Sequence, residues 1–361
     1  GIYQIIYMDK VPESAAVNES VKLAKKLTRG LSGFVNAVLR SVLRECDSIS
    51  IGELAKSEAE EISFIYNQPL WLVNLWMNEM GKDKTVDLCA WFNEQPRLTA
   101  RINTVKVSIE DCIKELQNLG WTIEQDKDIP EVVYIDSHQG HLEKAKPVIE
   151  GHITFMDKAS MLVAHVVDPQ PGERILDCCA APGGKSMHMA SLMNNTGAIM
   201  SCDIYDHKLD LMNQNAERLG VSIVSTKLQD GRSLPDNWKE QFDRVLVDAP
   251  CSGLGILQKK LDMRWRKTED LLNELPPLQL EILEKASEMV KVNGHLVYST
   301  CTINRGENED VLEKFLATHK NFIIDPVSFD GLPQAVEGMI TTYPPRDQMD
   351  GFFMARVKRI S

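Results

Sequence analysis

Residues 174–185 read Arg174-Ile175-Leu176-Asp177-Cys178-Cys179-Ala180-Ala181-Pro182-Gly183-Gly184-Lys185. An apolar run reaches Asp177 and Cys178, a tight turn follows, and a helix is expected over 185–192. Glycines in such a turn let backbone approach a ligand closely, and the helix N-terminus presents unpaired N–H groups. Two nucleotide motifs fail here. A P-loop requires glycine where Cys179 stands, and the G-x-G-x-x-G pattern of the dinucleotide folds is absent. What remains is another nucleoside-type cofactor. A nicotinamide dehydrogenase is therefore the last of the candidate functions.

The same rhythm repeats downstream. Strands are expected at 174–178, 198–203, 222–227, 244–248 and 295–299, with helices near 185–192, 207–219, 278–290 and 308–319. Strands alternating with helices of this length imply an α/β fold with a doubly wound, mostly parallel sheet. Such a sheet brings its strand ends to one edge, where open α/β folds bind ligands. Asp203 ends the second strand and is placed to take ribose hydroxyls. Asp230, after the third, is within reach of a base. The tail, 339–342 and 352–357, reads as a terminal hairpin.

Two thiols fall at that edge. Asp248-Ala249-Pro250-Cys251-Ser252-Gly253 follows Val245-Leu246-Val247, and Ser299-Thr300-Cys301-Thr302 follows Leu296-Val297-Tyr298. A single cysteine is more often a core residue than a nucleophile. Two at strand ends, one beside an acid, shift the balance toward chemistry. Lys185 is a candidate to orient that acid or to hold a phosphate. Lys259, Lys260, Arg264, Arg266 and Lys267 surround Trp265 in a loop suited to phosphate contacts and base stacking.

Upstream the pattern is helical. Val17, Val21, Ala24 and Leu27 fall at helical spacing with Lys22, Lys25, Lys26 and Arg29 beside them, and Phe34, Val35, Val38, Leu39 and Val42 repeat it. A second helical region covers 60–80, divided at Pro69. Between Pro96 and Tyr134 a strand at 98–104, a helix at 108–119 ended by Gly120, and a strand at 121–124 form a small α+β unit. The 361 residues, 43% hydrophobic and 25% charged, suit two or three globular domains. Eight cysteines without a C-x-x-C pair, several within strands, read as reduced thiols of a cytoplasmic protein. A net charge of −12 disfavours indiscriminate nucleic-acid binding, so any such partner needs a local basic face. No metal-ligand spacing stands out.

Residues 97–358 resemble the RNA (cytosine-5)-methyltransferases that use S-adenosylmethionine. The resemblance rests on residues 179–185, Asp203, Asp230, residues 248–253, residues 299–302 and Asp350-Gly351-Phe352-Phe353. Arg101-Ile102-Asn103-Thr104 is similar to the arginine–asparagine strand of that family's small N-terminal domain. Residues 31–40 resemble the end of a NusB-type RNA-binding helical domain, which would need more helix before Gly1. The resemblance implies a Rossmann-like, class I S-adenosylmethionine-dependent methyltransferase sheet. A small α+β, RRM-like domain and a helical NusB-like remnant precede it. The expected bounds are 1–55, 56–150 and 151–361.

The resemblance also implies roles. Cys179, Ala180, Ala181, Pro182, Gly183, Gly184, Lys185, Asp203, Asp230 and Asp248 would hold S-adenosylmethionine. Cys301, Cys251, Asp248 and Lys185 would carry catalysis. Cytosine C5 is too weak a nucleophile to attack a sulfonium methyl, and a thiolate added at C6 makes it enamine-like. The residues themselves do not say which cysteine attacks: DNA cytosine methyltransferases use the Pro-Cys thiol, which selects Cys251. Resemblance to the RNA family selects Cys301, with Cys251 assisting release. The expected partner is 16S ribosomal RNA, free or in early assembly, bound by a monomer with no membrane. Competing readings are a methyltransferase of transfer RNA, DNA or protein, and a non-catalytic RNA-binding assembly factor.

Overall fold

The computed structural model describes residues 1–46 and 51–361, the side chains of Ile51 and Glu53 excepted. Residues 47–50, at the end of the region expected to be helical, lie outside the described residues. The chain forms two compact units, Gly1–Met77 and Asn78–Ser361.

The first unit is helical, with Ile2–Tyr7, Glu13–Leu27, Ser32–Glu45 and Glu58–Tyr66 as its main elements. Ser57 caps the last of these by accepting the Glu60 N–H, and Asn67 in the left-handed region ends it. A new helix starts at Leu70, directly after Pro69, as expected. Val17 and Leu39 are buried, but Leu27 is 73% exposed, so the apolar stripe of Glu13–Leu27 outruns its cover within this unit.

The second unit opens with the helix Lys82–Trp91, followed by a four-stranded antiparallel sheet. Its strands are β1 (Leu98–Ile102), β2 (Thr122–Gln125), β3 (Val132–Ser137) and β4 (Ile153–Phe155), in the order β2-β3-β1-β4. The helix Ile109–Asn118, capped by Ser108, lays Cys112 and Leu116 against Ala100, Ile102, Val133 and Ile135. Sequence periodicity anticipates β1, β2 and the helix but neither β3 nor β4. In β3 Val132, Val133 and Ile135 are all buried, which erases alternation, and β4 has three residues.

The larger sheet contains β5 (Arg174–Asp177), β6 (Ala198–Asp203), β7 (Val224–Leu228), β8 (Phe242–Asp248), β9 (Val290–Thr300), β10 (Phe322–Ile324), β11 (Met339–Thr341) and β12 (Phe353–Arg359). Its order is β10-β12-β9-β8-β5-β6-β7, with β11 on β12. β5 through β9 are parallel. β12 runs antiparallel to β9, from Phe353 opposite Thr300 to Lys358 opposite His295. The tail is thus more than the expected hairpin: β11 does pair with β12, but β12 is wedged into the main sheet.

Alternate residues along each strand bury on opposite faces. Ile175, Leu246 and Val297 join one core; Leu176, Val245, Val247 and Tyr298 join the other. The first core also takes in the helix Lys158–Val167, which the sequence reading does not anticipate. Eight of its ten residues are buried, so it has no polar face to betray a helical period. The chain leaves β5 for β6 on one side and reaches β8 on the other. That reversal opens a crevice at the C-terminal ends of β5 and β8.

Candidate active site

Loops from β5, β8 and β9 meet at this crevice. Gly183, at φ +98, turns the β5 loop into the helix Gly184–Leu192, and a Cβ there would stand 3.0 Å from Met212. The helix start directs Lys185 back toward β8, where its Nζ donates to Asp248 Oδ2 at 2.7 Å. Ser299, on the neighbouring β9, donates to Asp248 Oδ1 at 2.9 Å. Burial works against the Lys185 ammonium, but the Asp248 carboxylate outweighs it and holds the lysine above its ordinary value. The lysine is a half-buried cation bonded to that carboxylate.

Cys251 and Cys301 follow β8 and β9, and their sulfurs lie 3.2 Å apart. The hydrogen bond to Cys301, then burial, pushes the Cys251 thiol well up. A further loop closes over them. Gly351 N–H donates to Gly255 O at 2.9 Å, and a Cβ on Gly255 would come within 1.9 Å of Gly351 O. Only glycine allows that approach, which carries Phe352 to 5.2 Å beneath the Lys185 ammonium.

Two cavities open from this cluster. One, about 470 Å³, is bounded by Cys179, Asp203, Ile204, Asp230, Pro250 and Leu278. The other, about 540 Å³, is bounded by Thr99, Asp157, Asp177, Lys185, Asp350 and Phe352. Ala181, Asp248 and Cys301 line both. Both have the volume of a small-molecule site.

The first cavity suits a nucleoside. Asp203 receives the Tyr205 N–H at 3.0 Å and the Ala181 N–H at 3.3 Å, fixing its carboxylate at the rim. Asp230 is held by Arg232 Nη2 at 2.6 Å. Ile204, 53% exposed, and Leu278 offer apolar faces between them. The residues expected at one cofactor site divide between two. Cys179, Ala181, Asp203, Asp230 and Asp248 line this cavity, whereas Ala180, Pro182, Gly184 and Lys185 line the other, and Gly183 lines neither. A tight turn has two sides, and spacing alone cannot say which residue faces which.

Three acids at the second cavity escaped the sequence reading as site residues. Asp177 is raised to about 7 by burial, although Ser186 Oγ donates to it at 2.6 Å. Its Oδ1 has no hydrogen-bond partner among the described residues. Asp350 is raised to about 7 by burial and by Asp157. Their positions were legible: Asp177 closes β5 and Asp350 lies in the final matched motif. Lys259 binds both Asp157 and Asp350, the latter at 3.0 Å.

The basic loop is therefore only partly free. Besides Lys259, Arg264 is buried and donates to Asn93 Oδ1 and Phe92 O, both at 2.9 Å. Lys260 lines the second cavity and Trp265 is 59% exposed, so these remain available to a polynucleotide. Arg101, on the strand similar to the family's arginine–asparagine strand, is wholly buried, and its three side-chain nitrogens have no hydrogen-bond partner among the described residues. It shares a seam between the two sheets with Glu131, His165 and His188. Both histidine Nε2 atoms reach Glu131 Oε1, at 2.6 and 3.0 Å. These three present ligand atoms within 4.8 Å of one another, as do Glu115, Glu150 and His152. The N–H···O pairing and the Arg101 charge already account for the first group.

The family model described as 16S rRNA methyltransferase RsmB/F matches residues 164–358. The NusB family model matches residues 1–44, and the RsmF/B-like ferredoxin-like domain matches 68–140. The chain is 34% identical to the probable ribosomal RNA small subunit methyltransferase B of Bacillus subtilis, over 99% of this chain and 81% of that protein. It is 37% identical to the Synechocystis protein of the same description, with the same coverage. The crystal structure of PH0851 matches with a TM-score of 0.86 at 29% identity, covering 99% of this chain and 80% of that one. A methyltransferase homologue from Pyrococcus horikoshii matches with a TM-score of 0.74 at 26% identity, over 84% of this chain and 100% of its own.

Proposed function

Because the chain belongs to the RsmB/F family of 16S rRNA methyltransferases, we propose that it methylates C5 of a cytosine in 16S ribosomal RNA through a covalent adduct on Cys301. S-adenosylmethionine supplies an electrophilic methyl group. The observation that carries the reading is that Asp248 and Cys301 line both cavities, with Cys251 Sγ 3.2 Å from Cys301 Sγ. A cofactor in the first cavity and a base in the second would meet only there.

In this reading Asp203 and Asp230 hold the hydroxyl and base ends of the cofactor. Cys301 adds to C6 of the cytosine, which raises electron density at C5. Asp248, fixed by Lys185 and Ser299, hydrogen-bonds the ring nitrogen that gains charge as the thiolate adds. Cys251 assists the later step, in which a base removes the C5 proton and Cys301 leaves as the C5–C6 double bond re-forms. Cys301 lines both cavities whereas Cys251 borders only the first, which favours Cys301 as nucleophile. The second cavity accepts one base, so the target must be unstacked, as in a loop or single strand. Lys260 and Trp265 contact the flanking strand.

Two measurements test the proposal. Bisulfite sequencing of ribosomal RNA from cells with and without the gene is expected to differ at one or a few cytosines; identical maps remove the ribosomal RNA assignment. On a denaturing gel, Cys251→Ala is expected to accumulate a protein–RNA adduct and Cys301→Ala to form none. The opposite pattern exchanges their roles.

A further inference from the structure

We propose that the buried dipeptide Glu307-Asn308 is a two-sided clasp that positions the cysteines, Glu307 holding the Cys251 turn and Asn308 the Cys301 turn. The inference rests on the roles proposed above for the two thiols. Both residues lie behind the site: they are 0% and 1% exposed, and neither lines either cavity.

The hydrogen bonds sort cleanly between the two turns. Glu307 Oε1 accepts the Ser252 N–H at 2.8 Å, and its Oε2 accepts Ser252 Oγ. Gln279 Nε2 joins Glu307 Oε1, at 3.1 Å, to the Pro250 carbonyl, at 3.0 Å. The residues on either side of Cys251 are thereby tied to one carboxylate. Asn308 does the same for Cys301. Its Oδ1 accepts Thr300 Oγ1 at 2.6 Å and its Nδ2 donates to Thr302 O at 2.9 Å. A bond between Ser252 Oγ and Thr302 Oγ1 at 2.9 Å links the two halves.

A packing role does not select this chemistry. A buried carboxylate satisfied by neutral donors is costly compared with an apolar side chain of similar size. What it supplies is direction: three donors converge on two oxygens and fix the turn that aims Cys251. Glu307 is itself anchored through its backbone, because Tyr298 OH on β9 donates to its carbonyl at 2.5 Å. The clasp therefore moves with the strand that leads into Cys301.

The two sides are expected to fail differently. With unmodified 16S ribosomal RNA transcript and S-adenosylmethionine, Glu307→Gln is expected to lower turnover about tenfold while adduct formation stays within about twofold. Adduct then accumulates, as for Cys251→Ala. Ser252→Ala, which removes one arm, gives a weaker form of the same pattern and decides the matter if Glu307→Gln does not fold. Asn308→Ala is expected to slow adduct formation itself about tenfold, with no accumulation. Proportional loss of adduct and turnover in the Glu307 or Ser252 variants, with wild-type melting, overturns the clasp while leaving the cysteine roles intact. Failure of Cys251→Ala to accumulate adduct overturns the assigned roles, and the clasp with them.

Discussion

The crevice at the ends of β5, β8 and β9 and the seam beneath β1 are built from the same materials to opposite effect. Each gathers cations, carboxylates and nucleophilic or titratable side chains from distant segments. In the crevice Lys185, Asp248 and Cys301 border open volume. In the seam Arg101 and His188 are 0% and 1% exposed, and burial drives the His188 imidazole down to about 3. An active site needs both the reactive groups and a route to them. The seam has the groups alone, with Glu131 accepting from both histidines between the two sheets.

Three substitutions sharpen or break that contrast. The largest effect on activity is expected from Lys185→Met, which removes the cation orienting Asp248. Turnover should fall roughly 10²–10³-fold, with melting little changed, in single-turnover methyl transfer. Unchanged turnover would reduce the lysine to a packing group.

Glu131→Ala is expected to act on the other side of the comparison. It strands two histidines and Arg101 in the interior, at a cost of about 3 kcal/mol in urea unfolding. Turnover per folded molecule should stay within about twofold. Loss of activity without loss of stability would make the seam part of the site.

The smallest effect concerns Asp177. Burial lifts its folded pKa to about 7, so the native state holds that proton more tightly than the unfolded chain. Its contribution to stability is complete below the unfolded aspartate value near ~3.9 and is lost as pH rises toward 7. Asp177→Asn removes this dependence. The fall in urea midpoint between pH 5 and pH 7.5 should be shallower than in the parent, and an unaltered slope would mean the acid is already ionised when folded.

The reactive inventory was legible before any coordinates. Small-residue turns after apolar runs placed the 179–185 loop, both thiols and Asp248 together, because a parallel sheet must deliver its strand ends to one edge. Elements with two environments, half wet and half dry, were legible too. The helix Ile109–Asn118 carries its cap at Ser108 and buries Cys112 and Leu116 on one face. The helix Lys158–Val167 and the strand β3 were not, because the helix is buried nearly all round and β3 buries the adjacent pair Val132 and Val133 together with Ile135, so neither carries a clean period.

Composition and order of residues determined the fold class, the tight turn at 179–185 and the identity of the chemical groups, since these depend on local spacing and on strand-end topology. Tertiary structure alone decided which side of the 179–185 turn faces which cavity, and that Arg101 is walled in while Trp265 is open. It also decided that Lys259 and Arg264 serve internal pairs. Exposure and direction belong to the packing of segments remote in the chain, and no local pattern encodes them.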